Sequence, residues 1–166
     1  MAIKDGLLPE FDHEMGTTRR LLERVPEADL GWKPHQKSMS LGELSGHIAN
    51  IPFWCTAAIG GPVLDLDTMG DAAKVIAATS VPAMVAEFDT KVRDARTALA
   101  ACGDGEMMAL WTLKAGGQEI FTMPRIAALR SFVMSHLIHH RGQLSVYLRL
   151  RDVPLPSIYG PTADEA

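Results

Sequence analysis

Apolar residues recur at three- and four-residue intervals through most of the chain, the period of helices buried on one face. Over residues 5–25, Leu8, Phe11, Met15 and Leu22 keep that spacing, with Leu21 beside the stripe. Pro26 stops it, because proline lacks an amide hydrogen and clashes with the preceding turn. A second stripe, Leu41, Leu44, Ile48 and Ile51, follows Ser40 and Glu43, a serine cap with a glutamate at the third helical position. Pro52 predicts a kink or an early end there, and Gly60-Gly61-Pro62 closes the segment. The third helix begins at Ser80, with Pro82 in its first turn, and buries Val81, Met84, Val85, Phe88, Val92, Ala95 and Leu99 before Gly103 and Gly105 end it. The fourth opens at Pro124 and runs to about Leu150, with Ile126, Leu129, Val133, Leu137, Leu144 and Leu148 on its apolar face.

The connections are long. Residues 26–39 lack periodicity, and Trp32 and Pro34 are expected to pack as a lid over one end of the helices. Residues 63–79 read as a solvated acidic loop around Asp65, Asp67 and Asp71, with a short helix over 71–77. Their spacing lacks the glycine and final glutamate of a calcium loop. Residues 107–112 and 118–122 flank Ala115-Gly116-Gly117 and predict either a small hairpin or a long ordered loop. Past Pro154 and Pro156 the tail, with Ile158-Tyr159-Gly160-Pro161, is expected to lie extended against the helices. The sum is an all-α four-helix bundle in one domain over residues 1–166, with room for a crossover connection.

Composition narrows the function classes. The 166 residues are 47% apolar and 22% charged, ordinary for a soluble globular domain. No run approaches the ~20 apolar residues that span a bilayer, and residues 1–6 carry no secretory pattern, so a cytoplasmic protein with no membrane partner is expected. Sixteen basic against 20 acidic residues give a net charge of −4, which argues against a nucleic-acid partner. Cys55 and Cys102 are too few and too far apart for a disulfide framework, and read as buried small hydrophobes.

The candidate chemistry lies in the histidines. His136 and His140 stand one turn apart and ~40° apart around the last helix, so two imidazoles can grip one ion from a single helix. Val133, Leu137 and Leu144 place that face near the core, where an imidazole needs a hydrogen-bond partner or a metal. His47, between Leu44 and Ile51 on the second stripe, offers a third ligand. Three nitrogens would leave a position of a divalent ion open to water or substrate. The competing reading is a hydrogen-bonded polar seam with no ion. Residue 137 is leucine, so the glutamate of the zincin motif is missing.

Neighbouring residues read more plainly. His139 points off the ligand direction, toward another helix or a dimer partner, with a place at the pocket edge as its second reading. Arg141 reads as an exposed or interface cation that an anionic thiol could recruit. Gln143 sits one step off the clearest face but could hydrogen-bond a ligand imidazole. Trp54 reads as core or pocket wall, Phe53 and Met134 as packing, His13 as solvated and His35 as a loop residue over the bundle end. Met134, Ile138 and Ser145 lie off the metal face and are expected to pair two copies into a homodimer.

The run His139-His140-Arg141-Gly142-Gln143-Leu144, with His136 one turn upstream, resembles the end motif of the DinB (damage-inducible) family. The run from Ser38 to His47 behind Trp32 and Pro34 is similar to that family's second-helix signature, and Tyr159-Gly160-Pro161 to its tail. The resemblance implies a four-helix bundle of up-down-down-up topology, often dimeric, with a three-histidine centre for nickel, zinc or another divalent ion. Carried onto this chain, the ligands are His47, His136 and His140. It further implies a thiol-dependent transferase or isomerase using mycothiol, bacillithiol or glutathione, although many members have no established reaction. The expectation is a metal-dependent enzyme, a transferase or hydrolase, acting on a small molecule with a low-molecular-weight thiol as co-substrate. The alternative is a non-catalytic metal- or small-ligand-binding protein of a stress response.

Overall fold

The computed structural model describes residues 1–70 and 77–165. The helix expected over 71–77 falls almost wholly outside them. Four long helical stretches carry the fold: α1 (Ile3–Leu22), α2 (Leu41–Gly60), α3 (Val81–Ala101) and a composite last helix. The last consists of α5 (Arg125–Ala128), a π-helical segment (Leu129–Ser135) and α6 (His136–Leu150). A short helix, α4 (Asp104–Met108), follows α3.

Side-chain and main-chain ties orient the four. The amide of Ile3 reaches Asp104 and Lys4 reaches the Ala100 carbonyl, while Glu27 accepts from the Val81 amide, so α1 and α3 run antiparallel. The Ala78 amide, just ahead of α3, bonds the Gly42 carbonyl at the start of α2, so those two run parallel. Tyr147 donates to the Met39 carbonyl, which sets α6 antiparallel to α2. The result is the expected up-down-down-up bundle, with α3 packed on α1 and α2, and α6 closing the ring against both.

Local chemistry explains the starts. Ser40 Oγ accepts from the Glu43 amide at 3.0 Å and Glu43 Oε2 from the Ser40 amide at 2.6 Å, a complete capping box that places α2. Pro52 neither ends nor shortens α2, and Pro9 sits inside α1; burial of the surrounding apolar face outweighs a missing hydrogen bond at each. Gly42 is a point of close approach between segments. A Cβ there would lie 3.0 Å from both the Ala78 and Leu30 carbonyl oxygens.

The hairpin forms: β2 (Leu110–Ala115) pairs antiparallel with β3 (Gln118–Pro124). Gly116 and Gly117 turn it with φ of 58° and 71°, a conformation only glycine adopts without strain, and Asp67 accepts from both their amides. One expectation needs correction. Residues 63–65 are not loop but a third strand, β1 (Val63–Asp65), parallel to β2 at the sheet edge. The sheet inserts Trp111 and Leu113 into the core, and Arg125 fastens its base to the end of α2 through the Ala58 and Gly61 carbonyls.

Arg141 also departs from expectation. It is 1% exposed rather than a surface cation. Its Nη1 meets Glu14 Oε2 at 2.6 Å and its Nη2 the Tyr159 hydroxyl at 2.5 Å, while that hydroxyl bonds both Glu14 oxygens at 2.9 Å. The network ties α6 to α1 and holds the tail, which Arg20 and Arg24 also grip at Ser157 and Glu165. Trp32 packs edge-on against Tyr147 as the lid reading expects, but Pro34 is exposed. Met134 is buried, so it cannot belong to a dimer face; the exposed apolar residues on α6 are Val146 and Leu150. Among the described residues no helix is long and apolar enough to cross a membrane.

Candidate metal centre

His47 leaves α2 toward α6 because its neighbours Leu44, Ile48 and Ile51 are buried and fix the roll of that helix. His136 and His140 leave the first turns of α6 on the side facing α2, fixed in turn by buried Leu137, Leu144 and Leu148. The three imidazoles meet. Ring centroids are 5.0 Å apart for His47–His136 and 4.6 Å for His47–His140 and His136–His140. One nitrogen from each ring lies within 4.8 Å of the others.

The donor set fits a divalent ion. Two nitrogens each ~2.05 Å from a tetrahedral zinc stand about 3.3 Å apart, and the Nε2 atoms of His47 and His136 are 3.2 Å apart. The widest separation allowed by the cluster exceeds that spacing by about 1.5 Å, within reach of side-chain rotation. Imidazole nitrogen suits zinc, nickel, copper and iron. A hydrogen bond between His47 and His136 would also satisfy 3.2 Å, but it accounts for only two of the three converging imidazoles. His136 Nδ1 is buried with no hydrogen-bond partner among the described residues. The His136 amide bonds the Val133 carbonyl, so the Phe132 carbonyl faces the imidazole, though not in hydrogen-bonding geometry.

Electrostatics keep the rings neutral, the form a metal requires. Burial, then the nearby His140 and His136, lowers the pKa of His47 from 6.5 to about 4. Burial and His140 lower His136, with the Phe132 carbonyl opposing. Burial also lowers His140, and Gln143 opposes it. Gln143 Oε1 lies 2.7 Å from His140 Nδ1, which makes Nδ1 the donor and leaves Nε2 with the lone pair.

All three rings are half-buried, so the cluster sits at the margin of the core rather than inside it. A groove of about 350 Å³ opens beside His136, lined by Ser131, Phe132, Ser135, His136 and His139. His139 is exposed at the groove edge, its ring 4.9 Å from that of His140, which matches the second of its two expected positions. Trp54 is buried and stands edge-on to Phe132 at 5.3 Å, behind that ring in the core. Phe132 was absent from the sequence reading, and its place in the π-helical segment explains why: a wider turn there changes which residues face α2. His13 and His35 are exposed and remote from the cluster's contacts, as expected. Burial pushes the Cys55 thiol up to about 12 and raises Cys102, so neither offers a thiolate.

Comparison with known proteins places this arrangement. The chain is 25% identical over 171 aligned positions to the uncharacterized protein YrdA of Bacillus subtilis (strain 168), covering 97% of this chain and 90% of that one. The crystal structure of a DinB-like protein from Bacillus cereus ATCC 10987 superposes with a TM-score of 0.73 at 22% identity, covering 95% of this chain and 98% of the other. A DinB-like protein from Bacillus subtilis superposes at 0.69 and 20% identity, over 93% and 99%. These likenesses agree on the bundle with its hairpin insertion. The family model of the DinB superfamily matches residues 10–144, from the second turn of α1 through the last histidine and its partner glutamine, and the chain belongs to that superfamily.

Proposed function

We propose that this protein is a divalent-metal-dependent enzyme that holds its ion on His47, His136 and His140 and activates a low-molecular-weight thiol against a small electrophile. The observation that carries the reading is the meeting of three imidazoles from two helices, with Nε2 of His47 and of His136, 89 positions apart in sequence, separated by 3.2 Å. Three protein ligands are the number that leaves a catalytic ion an open position, where a structural site uses four. Half-burial suits the same end: the rings are dry enough to stay unprotonated and open enough for a small molecule to reach. When bound, such an ion lowers the pKa of a coordinated thiol or water and supplies an anionic nucleophile at neutral pH.

The chain's own residues do the remaining work. Gln143 fixes the tautomer and direction of His140. Trp54 and Phe132 back His136 with aromatic surface. Arg141 has no part in holding an anionic thiol, because Glu14 and Tyr159 already occupy it.

Elemental analysis of protein purified without added metal, followed by titration with cobalt and nickel, tests the ligand set. Wild type is expected to bind one equivalent. His47→Ala should lose it, Gln143→Ala should weaken it about tenfold, and His139→Ala should keep it. Retention of the full equivalent by folded His47→Ala would overturn the ligand assignment. Metal-loaded protein that consumes none of a panel of thiols with alkylating electrophiles would remove the transferase reading and leave a non-catalytic metal-binding protein.

A further inference from the structure

The groove beside His136 carries information about what the centre acts on. Its floor is Phe132, half-buried and locked among aromatic neighbours: Trp54 at 5.3 Å, Phe121 at 5.5 Å and the His136 ring at 5.8 Å, the last tilted only 33° from it. Its rim is Ser131, Ser135 and His139, all exposed. Among the described residues no lysine, arginine, aspartate or glutamate lines it. The nearest cations of the last helix are already engaged, Arg130 by Glu10 and Arg141 by Glu14. A charged ligand group placed there would meet no charged side chain of the described lining to offset its lost hydration. An uncharged ring loses little and gains an aromatic surface that needs no rearrangement to receive it.

The polar rim then sets orientation. The Ser131 hydroxyl donates to the Ala127 carbonyl at 2.7 Å, which leaves it an acceptor for the ligand. The hydroxyl of Ser135 and the ring nitrogens of His139 have no hydrogen-bond partner among the described residues. A volume of about 350 Å³ sits at the small end of ligand pockets, enough for one substituted ring and little more.

We propose that this groove seats the electrophilic substrate by an uncharged, flat group, an aryl ring with one hydrogen-bonding substituent, stacked on Phe132 with its polar atom at Ser135 and His139. The inference rests on the metal-dependent reading for its catalytic meaning but not for the binding itself. Because His136 forms both the groove wall and the edge of the centre, a ring held there brings its side chain to the histidines without any charged anchor.

Binding of 4-fluorophenol and 4-fluorobenzoate to the full-length protein, followed by fluorine NMR, tests it. Each is measured on the protein as purified and after chelation, so that direct ligation of an ion is separated from seating in the groove. The phenol is expected to bind at least tenfold more tightly than the benzoate in both states. Ser135→Trp, which fills the groove from an exposed position, should weaken phenol binding tenfold or more. Phe132→Leu should do the same, and its folding is checked by circular dichroism. Equal affinity for the two probes, tighter binding of the benzoate to the chelated protein, or unchanged phenol binding in Ser135→Trp would each overturn the proposal. Phenol binding that persists in His47→Ala while metal is lost would uphold the groove. Loss of the metal-dependent reading would appear separately, as an absence of bound ion in wild type.

Discussion

Replacing Arg141 by methionine should destabilise this protein more than any change at the histidines, although Arg141 touches no ligand. The side chain is 1% exposed and faces Glu14, whose side chain is 7% exposed. Besides the 2.6 Å ion pair, its Nη1 reaches the Glu14 carbonyl at 3.2 Å and Thr18 Oγ1 at 3.3 Å, and its Nη2 reaches Tyr159 at 2.5 Å. Methionine fills most of the volume but leaves the Glu14 carboxylate buried with, among the described residues, the Tyr159 hydroxyl alone as donor. Breaking one half of a buried pair costs about 3–5 kcal/mol, because the surviving charge stays dehydrated without its partner. Removing both halves together is far cheaper, near neutral to about 2 kcal/mol, since two dehydration terms vanish with the attraction. The double variant Arg141→Met, Glu14→Leu should therefore be more stable than either single variant.

The assay is urea and thermal unfolding followed by circular dichroism, on chelated protein so that bound metal does not add to the apparent stability. For a chain of this length each kcal/mol moves the midpoint by about 2–4 °C, so Arg141→Met should melt at least 6 °C below wild type. A single variant within 1 kcal/mol of wild type would refute the reasoning, and so would a double variant as unstable as the sum of its parts.

Two further outcomes follow from the same coordinates. His47 titrates near 6.5 when unfolded and near 4 when folded, so between those values the unfolded chain holds the extra proton. The metal-free protein should thus keep its full stability above pH 6.5 and lose it as pH falls to about 4; the shift would be worth about 3 kcal/mol if fully buried, and roughly half that for a half-exposed ring. A midpoint that is flat across this range would exclude neutral, desolvated histidines. Glycine-to-alanine changes at two helical sites should have opposite signs. Gly42→Ala meets two carbonyl oxygens at 3.0 Å and should cost about 1–3 kcal/mol, whereas Gly142→Ala meets nothing within 4 Å and should add about 0.5–1 kcal/mol, both read by urea unfolding.

The helices were legible because their stripes are long and their caps chemically specific: Ser40 with Glu43, Ser80 ahead of Pro82. The hairpin turn was legible from paired glycines. What was not legible lacked a local signature. Three residues of β1 have no alternation to detect, and they become a strand only because β2 offers a parallel edge. The π-helical segment left one trace. Leu129, Val133 and Leu137 recur every four residues with no three-residue step, a spacing that drifts ~40° per step off one face of an α-helix. A wider turn absorbs that drift and keeps Leu129, Val133 and Leu137 all buried.

For the centre, the spacing of His136 and His140 announced a shared direction, while the distance to His47 could come only from packing. The depth was misjudged for a reason the helix itself contains. Leu137, Arg141, Leu144 and Leu148 fall within ~60° around α6, and all four are buried, so Arg141 lies on the core face, at the edge turned away from His136 and His140. Glu14 holds the matching place on α1, one position before Met15 and three after Phe11. Two charges on buried apolar faces predict each other: either alone would be prohibitively dehydrated. His136 and His140 lie ~100° and ~60° from Leu137 on the side opposite Arg141, so they reach only the margin of the interface. The margin is where an open coordination position is of use, since a trio sealed in the core would admit no substrate. The buried pair and the half-buried histidines are therefore two consequences of one helical phase, set on opposite sides of the stripe of Leu137, Leu144 and Leu148.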